Sequence, residues 1–218
     1  MTQEKVHEKI IPQHIPTGEI NPKSTFILGL DVARQGLDQT AFVVLEQPPF
    51  DKNIFVVYVE ALHTPDLKQV IGKTVYLDKF FNFKRVIVDE TGMGSGVTDI
   101  LKGQLKGRVE GIWYTSKKKA EIFSNLRILM SRPNDKLYFP DYNTCDPHSA
   151  AIVKKMYFQF LTILSEYSDS TGLKTPKIYH EKGKNDDIIN ALCLASMYFD
   201  VSGKKNKRPV IGCFKYTS

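Results

Sequence analysis

The chain has 218 residues, 42% hydrophobic and 25% charged, the composition of one ordinary globular domain long enough to bury a core. Its formal net charge of +6 at pH 7 suits a polyanionic partner without requiring one. No apolar run reaches the length of a membrane span. The three cysteines, Cys145, Cys193 and Cys213, lack the spacing of a zinc site or disulfide framework, in keeping with a reducing compartment.

Residues 1–23 carry Pro12, Pro16 and Pro22, little periodicity and no signal-peptide apolar segment, and read as a flexible arm or linker remnant. Three β-rich runs follow at 24–31, 40–46 and 53–62, separated by turn-length segments that predict an antiparallel meander. Residues 66–81 predict a helix, with Leu67, Val70, Ile71, Val75 and Leu77 roughly on one side. A short strand is expected at 85–90, then a Gly-rich turn "TGMGSG", a helix over 97–105 and a strand over 109–115. Next come a helix over 118–132, a short strand at 136–140 and a long helix over 149–167 whose Tyr157, Phe158 and Phe160 are assigned to the core. A strand at 175–181 and a helix over 186–199 close the folded region, 24–201. Residues 202–218 form a basic tail, with Lys204, Lys205, Lys207 and Arg208. Antiparallel strands followed by alternating helices and strands predict an α/β fold, a mixed sheet with helices on both faces.

That order has a geometric consequence. If the strand ending at Asp89 lies parallel to the one ending at Asp31, two carboxylates meet at neighbouring carboxyl ends, where open α/β sheets bind ligands. Converging carboxylates repel unless a proton or cation lies between them. Asp186 and Asp187 open the last helix, where acids commonly cap free amides, and Asn185 is itself a candidate N-cap. Adjacent acids project in different directions, so one is free to face the sheet. Asp187 shares a helical face with Asn190 and Ala191, whereas Asp186 is rotated by about 100°. This points to Asp187 as the stronger ligand, with Asp186 auxiliary or capping.

Together these acids form a constellation. The stretch "GLDVARQGLDQTAFVVL" resembles the first motif of the ribonuclease H-like nucleases, and most specifically of the nuclease domain of the viral terminase large subunit. The stretch "VIVDETGMGSGVTDIL" is similar to the second motif and "NDDIINALCLA" to the third, so the resemblance runs from Phe26 to Phe199. It implies a ribonuclease H-like sheet and a metal-dependent endonuclease that cuts concatemeric double-stranded DNA. It also implies catalytic roles for Asp31, Asp89 and Asp187, metal ligation by these with Asp186, and an accessory role for Asp38. By the same resemblance the partners are the packaging ATPase domain, the small terminase subunit and the portal, in the cytoplasm of an infected host. Two departures stand out: Asn185 replaces a frequent histidine, and Asn190 stands where an acid is sometimes found. No GxxxxGK[ST] loop occurs, so the packaging motor is missing from this stretch.

The chemistry leads to the same place. Phosphodiester hydrolysis needs an activated water, charge relief at phosphorus and a stabilised leaving oxygen, which two divalent cations roughly 4 Å apart supply. An all-carboxylate site suits Mg2+ or Mn2+. The histidines are scattered, and only His180 lies near the third motif. Lys117, Lys118 and Lys119 follow a strand on the acids' side, and Lys182 and Lys184 flank the third motif, so both runs are expected to hold DNA phosphates. Three other readings stand beside this one: a Holliday-junction-resolvase-like nuclease of the same fold, a non-enzymatic DNA-binding module, and an actin-like ATPase half-domain.

Overall fold

The computed structural model describes residues 20–33, 38–64, 66–131, 137–167, 176–180 and 185–199. Strands β1 (Thr25–Asp31), β2 (Thr40–Gln47) and β3 (Ile54–Leu62) form the expected meander, with a bulge in β3 where Val44 pairs Tyr58 but Leu45 pairs Val56. Helix α1 (Leu67–Phe81) starts on the Asp66 side chain and buries Val70, Thr74, Leu77 and Phe81, one stripe at helical spacing. Strand β4 (Arg85–Asp89) then lies parallel to β1, and β5 (Val109–Ile112) parallel to β4. With the two-residue β6 (Leu137–Tyr138) against β3, the sheet order is β5-β4-β1-β2-β3-β6.

Alternation along the strands sorts the core into two layers. Phe26, Leu28 and Leu30 of β1 pack with α1 and α2 (Gly94–Gln104). Ile27 points the other way, toward α3 (Ser116–Met130), α4 (Pro147–Thr162) and α5 (Asp187–Ser196). Helix α5, followed by a 3-10 turn (Met197–Phe199), is buried at all ten positions, held between the sheet and the helices outside it. It comes so close to β1 that a Cβ at Gly29 would stand 1.9 Å from the Ala191 carbonyl oxygen. Among the described residues no helix is long and apolar enough to cross a membrane.

Three expectations need correction. The helix expected through Tyr167 ends at Thr162, because Ile163–Tyr167 extend as β7 and pair antiparallel with β8 (Pro176–His180) in a separate two-stranded sheet. Apolar periodicity does not separate a short strand from the end of a helix, and the pairing partner decides. Phe158 is an exposed position on α4 rather than core, while Tyr157 and Phe160 pack at the core's edge. The Gly-rich turn is shorter than expected, since α2 already begins at Gly94, whose Cα lies against the Asp89 carbonyl where a Cβ would stand only 1.7 Å away. The arm 1–19 and the tail beyond Phe199 lie outside the described residues.

Candidate functional site

Strand parity aims the first two acids. Ile27, Gly29 and Asp31 share one face of β1, and Ile87 and Asp89 share the corresponding face of β4, the face that carries α5. The parallel register runs through Leu30 and Val88, so Asp31 and Asp89 come next to each other at the carboxyl ends. The first turn of α5 brings Asp186 and Asp187 over the same edge. All four acids are buried.

Their proximity shows in the electrostatics. Burial pushes the Asp31 carboxyl well above its usual range, Asp89 and Asp187 push it further, a hydrogen bond from Asn190 opposes them, and Asp186 adds the smallest contribution. Asp187 is also raised, first by burial, against the opposing Gln39 N–H, and then by Asp186 and Asp38. Asp38 is exposed, yet it belongs to the same electrostatic cluster. Asp31 feels Asp187 more than Asp186.

Protein donors hold each of the other three carboxylates. Asp89 Oδ1 accepts from the Thr91 N–H at 2.7 Å, while Thr91 Oγ1 accepts from the Tyr114 N–H at 3.1 Å, joining the ends of β4 and β5. Asp186 accepts from Lys119 Nζ at 2.8 Å and from Asn190 Nδ2 at 3.1 Å. Asp187 Oδ2 accepts from the Gln39 N–H at 3.2 Å and from Asn185 Nδ2 at 3.3 Å. Among the described residues no three His, Cys, Asp or Glu side chains enclose an ion. The donor set nevertheless fits a hard divalent cation, because it is all oxygen and strongly anionic. Asn190 Oδ1 is moreover buried with no hydrogen-bond partner, an orphan acceptor that a cation's water would satisfy.

The capping explanation of the acid pair fails for Asp186. Asp186, not Asn185, occupies the N-cap position of α5, and its side chain makes no cap bond. The Ile188 and Ile189 N–H groups donate instead to Gln159 Oε1 of α4, at 3.0 and 3.3 Å.

The expected phosphate-binding lysines divide. Thr115 caps α3, so Lys117, Lys118 and Lys119 lie in its first turn. Lys117 is exposed, Lys118 pairs with Glu121 at 3.6 Å, and Lys119 turns inward to Asp186. Lys182 and Lys184 lie outside the described residues. Sequence reasoning missed Gly29, Gln159, Tyr114 and Lys155. A glycine inside an aliphatic strand is the signal for close approach at Gly29. Gln159 falls on the buried stripe with Val153 and Met156, where a polar residue needs a task. Tyr114 is half-buried beside Asp31 and Asp89, and Lys155 donates to Gln39 Oε1 near Asp187; neither carried a sequence signal.

No protein-family model and no curated protein matches the sequence. Solved structures do. The large terminase nuclease of thermophilic phage G20c with bound cobalt superposes with a TM-score of 0.62 at 18% identity, over 82% of this chain and 84% of that one. This is the terminase nuclease fold. The Sf6 large-terminase nuclease domain with manganese aligns over 84% of this chain and 91% of its own, with a TM-score of 0.61 and 11% identity. That of bacteriophage SPP1 with bound manganese gives 0.50 and 22% identity over 78% and 84%.

Proposed function

We propose that this protein is a metal-dependent endonuclease that cleaves double-stranded DNA, acting as the nuclease domain of a viral DNA-packaging terminase large subunit. The observation that carries the reading is the meeting of Asp31, Asp89, Asp186 and Asp187, from two strand ends and one helix start, in a buried cluster that raises the carboxyls of Asp31 and Asp187. Burying so much like charge is costly unless a proton or a cation lies within the cluster. The solved nucleases of this fold that carry cobalt or manganese support a divalent cation as the missing partner.

In this reading Asp31, Asp89 and Asp187 would hold two Mg2+ or Mn2+ ions, with Asp186 completing the set and Asp38 assisting from the rim. Bound there, such ions would supply an activated water and charge relief on the phosphate. The chain's own residues do the positioning. The Thr91 N–H orients Asp89, the Gln39 and Asn185 donors orient Asp187, and Asn190 ties Asp186 to the face of Asp31. Lys117, exposed in the first turn of α3, meets the DNA backbone. The work belongs in the cytoplasm of an infected host, beside the packaging ATPase domain, the small terminase subunit and the portal.

The test is incubation of supercoiled plasmid with the protein plus Mn2+, Mg2+ or EDTA. Nicking and linearisation that need the metal and show little base preference are expected. Cleavage that persists in EDTA would refute the reading.

A further inference from the structure

We propose that Gln159 is a positioning residue for the acid site: by capping α5 from a neighbouring helix, it releases the Asp186 carboxylate from the helix end so that it can face a cation. This rests on the nuclease reading above and goes beyond it, since it assigns a role to a residue that reaches neither metal nor DNA.

Aspartate at an N-cap position ordinarily turns its side chain back onto the amides two and three residues ahead. For Asp186 those amides are Ile188 and Ile189, the pair that Gln159 Oε1 occupies at 3.0 and 3.3 Å. Both Asp186 oxygens are left for other partners, and they take Lys119 Nζ and Asn190 Nδ2 on the acid side. Gln159 pays a cost for this, because its Nε2 is buried with no hydrogen-bond partner. A methionine of similar shape would avoid the orphan and leave the Ile188 and Ile189 amides open to the Asp186 carboxylate. The remote cap becomes intelligible once Asp186 is needed elsewhere.

Mn2+ titration by calorimetry, with no DNA and no turnover, separates the outcomes. Wild type, Gln159→Met, Asp186→Asn and the double variant are compared, with far-UV circular dichroism verifying the fold. Gln159→Met should bind Mn2+ about five- to tenfold more weakly, because the freed amides compete for Asp186. In the Asp186→Asn background the same change should add nothing, since the carboxylate under competition is already gone. Equal affinity for wild type and Gln159→Met would overturn the proposal, and so would an equal loss in both backgrounds, which marks a general packing effect. If Gln159→Met does not fold, Gln159→Asn carries the same comparison, with its oxygen one methylene short of the amides. A wild-type protein that takes up no Mn2+ overturns the nuclease reading itself, and this role with it.

Discussion

Replacing Gly29 with alanine tests whether the site is built on helix-to-strand contact. The added Cβ would stand 1.9 Å from the Ala191 carbonyl oxygen, 2.7 Å from the Ala195 nitrogen and 2.9 Å from the Ala191 carbonyl carbon. Ordinary contact begins at 3.4 Å, so α5 must retreat by about 1.5 Å at its nearest point. The obstacle is backbone, which no rotamer change relieves, and the far side of α5 is packed too. Overpacking of this kind costs about 3 kcal/mol or more, the upper end for added methylenes. For a domain of this size that lowers Tm by roughly 6–12 °C. Calorimetry in EDTA measures the loss, and repeating the scan with Mn2+ measures how much metal-linked stabilisation survives. Gly103→Ala is the control. It lies on an exposed turn of α2 with open space around it, and should raise stability by roughly 0.5–1 kcal/mol. A Gly29→Ala protein with unchanged Tm and an unchanged response to Mn2+ would refute the close approach of α5 to β1.

Two further outcomes are expected. In EDTA the folded protein holds the Asp31 proton more tightly than the unfolded chain does, so stability should fall as pH rises from the ordinary value of 3.8 toward the raised one. Asp31→Asn should flatten that slope in urea titrations between pH 4 and 8 and stabilise the metal-free protein at neutral pH while abolishing cleavage; parallel slopes would contradict the burial of charge. For DNA, Lys117→Gln should make the dependence of log affinity on log salt shallower by about 0.9, whereas Lys119→Gln, which removes the partner of Asp186, should alter Mn2+ binding more than the slope. An unchanged slope for Lys117→Gln would reassign that residue to plain solvated surface.

What could be read from the sequence was what repeats locally. Period-two alternation places Asp31 on the same face as Ile27 and Gly29, while the parallel pairing of β4 with β1, which the sequence reading took as a condition, is supplied by the structure. What escaped was decided by distant partners. The end of α4 at Thr162 depends on the pairing of Ile163 with His180, and the residues themselves suit either state. The cap of α5 comes from Gln159, 29 residues before the first amide it holds, and the counter-ion of Asp186 comes from Lys119, 67 residues before it. Lys119 was assigned to phosphate because a run of lysines looks uniform in sequence, yet one helical turn sends its members in three directions.

Helix α5 is the last of the described helices in chain order, and no side of it is left in solvent. A chain emerging from the ribosome thus displays Asp31 and Asp89 long before Asp186 and Asp187 exist. The ten buried positions of α5 need both the sheet and the outer helices in place. The acids are therefore united in the same event that seals the hydrophobic interior, and any fragment ending earlier lacks both. On the proposed nuclease reading, an unfinished molecule would lack part of the acid set.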